Sequence, residues 1–224
     1  MEVNIFKSIA KEIACGLKGI NKRWDGKNVI LEMKNNNYSQ WKQMEWIGFY
    51  FQFLCEKNLQ EIMTMPGNIY GNVKFDAFKN IPWDFKCHVQ NDVKGKEKTD
   101  MIINDMQAVN MATEQYGYIG LVIGLGNAEY NDRDRTFKNW VDELKGGKSK
   151  YENERIERDA GSRLRKVAFD LNDVIFVKIN KEDLGSLGIY NQGRNSNGHK
   201  RKPKYELDLK DLNKFEHYFS SELC

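Results

Sequence analysis

The run Tyr118-Ile-Gly-Leu-Val-Ile-Gly-Leu125 carries no charged side chain and constrains the fold more than any other stretch of the chain. An apolar segment of this length, interrupted only by glycine, reads as a buried strand. Before it stand, in order, a helix, a hairpin and a second helix. That order, closed by the apolar strand, describes a central mixed sheet flanked by helices, so the fold class expected is α/β (α+β). At 224 residues the chain is long enough to bury one sizeable core and short for two, which predicts a single domain over 1–224.

The remaining periodicities fill in this frame. Ile5, Phe6, Ile9, Ala10, Ile13, Ala14 and Leu17 recur at the helical period and give an amphipathic first helix that ends near Gly16 or Gly19. Asn28 to Lys34 reads as a short strand, the Asn35-Asn-Asn37 run as a loop, and Ser39 as a helix N-cap. From Gln40 to Lys57, Trp41, Met44, Trp46, Ile47, Phe49, Tyr50, Phe51, Phe53 and Leu54 predict a helix buried on most sides. Glu45, Gln52 and Glu56 fall within ~40° of one another at 100° per residue, a narrow polar stripe on that cylinder. Asn68 to Phe78 and Ile81 to Gln90 read as a hairpin, Asp92 to Asp100 as a solvent loop, and Met101 to Tyr116 as a helix. A charged helical stretch over Asp132 to Lys166 and a strand over Asp173 to Ile179 complete the reading. There is no internal repeat.

Within Trp83 to Gln90 the side chains alternate, with Asp84, Lys86, His88 and Gln90 on one face and Trp83, Phe85, Cys87 and Val89 on the other. A hairpin centred on Asn80 sets Asp76 opposite Asp84, four residues to either side of the centre. Facing carboxylates destabilise a sheet unless a cation neutralises them. Mg²⁺ suits the place, with Mn²⁺ as a substitute, because it takes oxygen ligands and is held by one or two carboxylates together with substrate phosphates. Asp76, Asp84 and the Phe85 carbonyl could supply the protein's share, and Lys86 could orient a water and offset charge developing at phosphorus.

An acid, then an acid-x-Lys tripeptide on the next strand, resembles the PD-(D/E)xK nuclease superfamily, and within it most closely the type II restriction endonucleases. Asp76 and Asp84-Phe85-Lys86 match the pattern, although Phe75 stands where the family often has Pro. The resemblance covers about residues 40 to 125. It implies a restriction-endonuclease-like core and site-specific, Mg²⁺-dependent hydrolysis of double-stranded DNA. It also implies a helix-borne Glu at the metal, for which Glu45 is the first choice and Glu56 the second; His88 is a further candidate near the scissile phosphate.

Acid-x-Lys occurs six times, starting at Asp25, Glu32, Asp84, Asp92, Glu143 and Asp208, so context must select among them. Asp92, Glu143 and Asp208 sit in highly charged surroundings. Glu32-Met-Lys34 with Asp25 upstream is the serious rival. Gly124-Leu-Gly126 lacks the third glycine of a dinucleotide-binding turn, since Glu129 occupies that place, and its glycines are expected to let a strand end turn.

Lys and Arg exceed Asp and Glu by only three, 35 against 32, so the distribution of basic groups carries the case for a polyanionic partner. They concentrate in the C-terminal part, 150–224. Arg163, Arg165 and Lys166 are candidate phosphate contacts. Asn191, Gln192, Arg194, Asn195, Lys200, Arg201 and Lys202 form a candidate recognition loop able to read base edges. A homodimer would cut both strands together and a monomer would cut them in turn; both stay open. A non-catalytic nucleic-acid-binding protein on a nuclease fold and a repair or RNA nuclease are the alternatives. Cys15, Cys55, Cys87 and Cys224 lack metal or disulfide spacing, and no apolar stretch of ~18 residues exists, which leads us to expect a cytoplasmic protein with no membrane partner.

Overall fold

The computed structural model describes residues 4–161, 163–193 and 198–223. Helix α1 (Ile5–Gly16) is followed by strand β1 (Arg23–Asp25) and helices α2 (Gly26–Asn35) and α3 (Trp46–Leu59). Three short strands, β2 (Ile69–Tyr70), β3 (Val73–Lys74) and β4 (Ala77–Lys79), lead to β5 (Ile81–Val89), β6 (Asp100–Asp105), α4 (Met106–Tyr116) and β7 (Tyr118–Tyr130). Then come α5 (Thr136–Leu144), α6 (Lys150–Glu157), β8 (Lys166–Asn180), β9 (Gly188–Tyr190), β10 (Lys204–Asp208), β11 (His217–Phe219) and α7 (Ser220–Leu223).

The expected mixed sheet is present. Its order is β1-β8-β7-β5-β4, with β11 added on β8. Strands β5 and β7 run parallel, and the other neighbours antiparallel. Strands β6, β10 and β9 make a separate three-stranded sheet. Both faces of the main sheet are covered. Helices α1, α2 and α3 pack on one, against Trp83, Phe85, Val122 and Phe176. Helix α4 and the small sheet pack on the other, against Ile119, Leu121, Ile123 and Val177. Double coverage is why Tyr118–Leu125 is apolar on both of its sides.

Glycine serves this packing on the α-helical face of β7. A Cβ on Gly120 would stand 2.4 Å from the Trp83 ring, and that ring stacks on Phe6 at 5.5 Å. Gly124 and Gly126 do not turn a strand end, because β7 runs on to Tyr130. A Cβ on Gly126 would come within 2.0 Å of the Asp170 carbonyl oxygen and one on Gly124 within 3.0 Å of the Leu171 and Phe51 side chains, so close packing, not a dinucleotide turn, explains the Gly124-Leu-Gly126 pattern.

Several elements differ from expectation. Asn28 to Lys34 is helical, not a strand: Asp25 caps α2 by accepting from the Asn28 N–H at 3.0 Å, and Val29, Ile30 and Met33 bury one side of it. Met101 to Asp105 is strand β6, and helix α4 begins only after the Asp105 side chain, which accepts from the Ala108 N–H. Helix α3 starts at Trp46 instead of Gln40. The stretch from Asp132 to Lys166 holds two short helices separated by Gly146 and Gly147, both at positive φ. Among the described residues, no helix is long and apolar enough to cross a membrane.

Candidate active site

The β4–β5 hairpin turns at Asn80, whose φ of 62° is one that Asn tolerates better than most residues. Ala77 pairs with Trp83, Phe78 with Pro82 and Lys79 with Ile81. The same register carried one residue further brings Asp76 level with Asp84, as a hairpin centred on Asn80 predicts. Asp76 Oδ2 accepts the Phe85 backbone N–H at 2.7 Å, and its Oδ1 accepts from Gln52 Nε2 on α3 at 2.8 Å. Asp84, 2% exposed, forms an ion pair with Lys86 Nζ at 2.6 Å through Oδ2, which also accepts from Asn104 Nδ2 of β6 at 3.0 Å.

Strand β4 pairs with β5 only as far as Trp83, so from Asp84 onward this edge of β5 faces α3. The N–H and C=O of one strand residue leave the same edge, which directs the Phe85 carbonyl toward Asp76 as well. A groove of about 270 Å³ runs between the two elements, lined by Gly48 and Gln52 from α3 and by Phe85, Lys86 and Cys87 from β5. Lys86 reaches it with 26% of its side chain exposed.

Burial and the neighbouring Asp84 carboxylate push the Asp76 carboxyl up to about 8, against the pull of Lys86 and the Phe85 N–H. Burial lowers the Lys86 ammonium, but Asp84 and Asp76 more than offset this and hold it above the ordinary lysine range. Two carboxyls thus share one lysine. The pair either retains a proton or takes up a further cation. Among the described residues, no group of three or more His, Cys, Asp or Glu side chains gathers as a cage for a metal ion. Two carboxylates and a carbonyl nonetheless fit Mg²⁺, which completes its shell with water and phosphate oxygens.

Among the remaining acids and His88, Glu45 also lines this groove. Glu45 precedes α3, is 73% exposed and pairs with Lys166 at 2.6 Å. It lies off the stripe because the helix begins one residue later. Glu56 is the nearer helix acid: Gln52 Nε2 also donates to it, at 3.0 Å, and burial raises its carboxyl. His88 is 6% exposed, with its Nε2 at 2.8 Å from the Lys98 carbonyl, and burial lowers its pKa, which marks a structural imidazole. The rival tripeptide is dispersed, since Glu32 and Lys34 are two apart on a helix, Glu32 accepts from the Tyr50 hydroxyl, and Asp25 is a cap. Asp92 and Asp208 accept from backbone N–H groups of Lys94 and Lys210, and Glu143 lies on α5. Of the six tripeptides, only Asp84-Phe85-Lys86 lies within a strand of the main sheet.

Arg163, Arg165 and Lys166 enter β8 beside the groove, and Lys166 lines it. The recognition-loop candidates lie around the small sheet: Gln192 donates to the Lys202 carbonyl, Lys202 Nζ donates to Gln107 of α4 at 2.8 Å, and the Arg201 N–H donates to the Gly193 carbonyl. Asn191 and Lys200 are exposed there, whereas Arg194 and Asn195 lie outside the described residues. Sequence reasoning missed Gln52 and Asn104 as partners of the two acids. Gln52 was visible on the polar stripe; Asn104 carried no signal, because its segment reads as helix. No protein-family model, curated protein or solved structure matches the chain.

Proposed function

We propose that the chain is a Mg²⁺-dependent endonuclease that hydrolyses phosphodiester bonds in double-stranded DNA, as a sequence-specific type II restriction enzyme built on a restriction-endonuclease-like core. The observation that carries this reading is the Asp84–Lys86 ion pair, with Asp76 brought beside it by a one-residue turn and Lys86 lining a solvent-open groove. Asp76, Asp84 and the Phe85 carbonyl would hold the metal, which when bound polarises the phosphodiester and acidifies a water. Lys86, kept protonated by both acids, orients that water and offsets charge at phosphorus. Gln52 and Asn104 fix the acids by hydrogen bonds. The protein works in the cytoplasm, and a homodimer would place two such grooves on the two strands.

The test is incubation of the purified protein with plasmid DNA, genomic DNA and RNA, with and without Mg²⁺, beside Asp84→Asn and Lys86→Ala. Discrete Mg²⁺-dependent DNA fragments, reduced at least ~100-fold in both variants, support the reading; preferred cleavage of RNA moves the substrate class. A second reading, a non-catalytic nucleic-acid-binding protein, draws on the mutual satisfaction of Asp84 and Lys86. Intact DNA in every tube, with duplex binding unaffected by Asp84→Asn, would select it.

A further inference from the structure

Next to the groove lies a recess of about 510 Å³ lined by Glu45, Lys98, Tyr130, Arg163, Arg165 and Lys166, with Glu45 and Lys166 common to both. Four cations face one carboxylate. Glu45 is bound to Lys166. Lys145, whose Nζ donates to the Met44 thioether at 3.5 Å, has its ammonium lowered by burial, with Lys138 and Arg165 adding to the effect and Asp142 opposing it. The Nε of Arg165 is buried and, among the described residues, has no hydrogen-bond partner. The N-terminus of α3 opens at Glu45, whose side chain does not cap it, and so adds positive potential at the same place.

We propose that this recess receives a backbone phosphate of the nucleic-acid strand next to the one cut at Asp84, and that Glu45 is the anion this phosphate displaces from Lys166. The substrate class rests on the nuclease reading. Met44, Val93 and Tyr130 give the recess an apolar wall, which suits a deoxyribose attached to the phosphate more than a free ion. Glu45, first considered as a metal ligand, becomes a resident counterion that sets how strongly the protein grips a polyanion.

The experiment measures binding of a labelled DNA duplex in EDTA across a KCl series for the wild type, Arg165→Gln and Glu45→Gln, with Mg²⁺-dependent cleavage assayed in parallel. Arg165→Gln should weaken binding and flatten the log-affinity against log-salt slope by about one unit, the loss of one phosphate contact. Glu45→Gln should bind several-fold tighter. Glu45 is exposed, so that variant still decides the matter if Arg165→Gln fails to fold. Both shifts without cleavage by any protein would uphold the recess and sink the nuclease reading. Cleavage with both variants at wild-type affinity and slope would uphold the nuclease and overturn the recess, and a wild type that binds no duplex overturns both.

Discussion

Asp76→Asn should make the metal-free protein more stable in mild alkali. Below about pH 4 the Asp76 carboxyl is protonated both in the folded and in the unfolded chain. Between about 4 and 8 the unfolded chain releases that proton, while burial and Asp84 keep it on the folded protein. The unfolded state gains from each step of rising pH, so folding stability falls across this window and the loss is complete above about 8. The shift from 3.8 to about 8 corresponds to a ceiling of about 6 kcal/mol. Asp76 is only partly buried, and water at its rim reduces this to an expected ~2–3 kcal/mol. Asn keeps the shape and an acceptor for the Phe85 N–H but has no proton to lose. Urea unfolding in EDTA at pH 5 and pH 8.5 would show the wild type losing ~2–3 kcal/mol more than Asp76→Asn over that interval. Parallel losses in the two proteins would refute the account of two acids sharing one lysine.

Two further perturbations probe the frame around the site. Gly120→Ala drives a Cβ into the Trp83 ring, the ring that precedes Asp84, and should cost about 1–3 kcal/mol by thermal melting; an unchanged melting temperature would show that the ring can step aside. Lys138 is 3% exposed and bridges Asp142 at 2.5 Å and Glu152 at 3.3 Å, so Lys138→Met leaves Asp142 under-compensated and should cost about 3–5 kcal/mol. A loss under ~1 kcal/mol would mean that water reaches this cluster.

How far the chain could be read depended on the range of the interactions. The alternation through Trp83 to Gln90 and the turn centre at Asn80 are local patterns, and together they set Asp76, Asp84 and Lys86 beside one another, the arrangement the hairpin adopts. The helix signal in α2 was hidden because Val29, Ile30 and Leu31 are consecutive aliphatic residues that also suit a strand; what decides is the cap at Asp25 and the sheet against which Val29, Ile30 and Met33 pack. Asn104 was invisible as a partner of Asp84, since the pairing of β6 with β10 joins residues about a hundred positions apart. Glu45 was misplaced for a smaller reason: helix boundaries shift by a residue or two without altering the apolar pattern, and that is enough to take a side chain off the stripe.

The groups proposed for chemistry all come from 52–104, and four of them from one hairpin and its approach, whereas the cations Arg163, Arg165 and Lys166 stand at the start of β8, brought beside the groove by the long β7–β8 pairing. On the proposed reading, grip and cutting would therefore come from different parts of the chain. Substitutions around the start of β8 would then retune which polyanions are held without touching the acids, and the hairpin could drift in sequence without redrawing the binding surface. A lineage built this way would change its target faster than its chemistry.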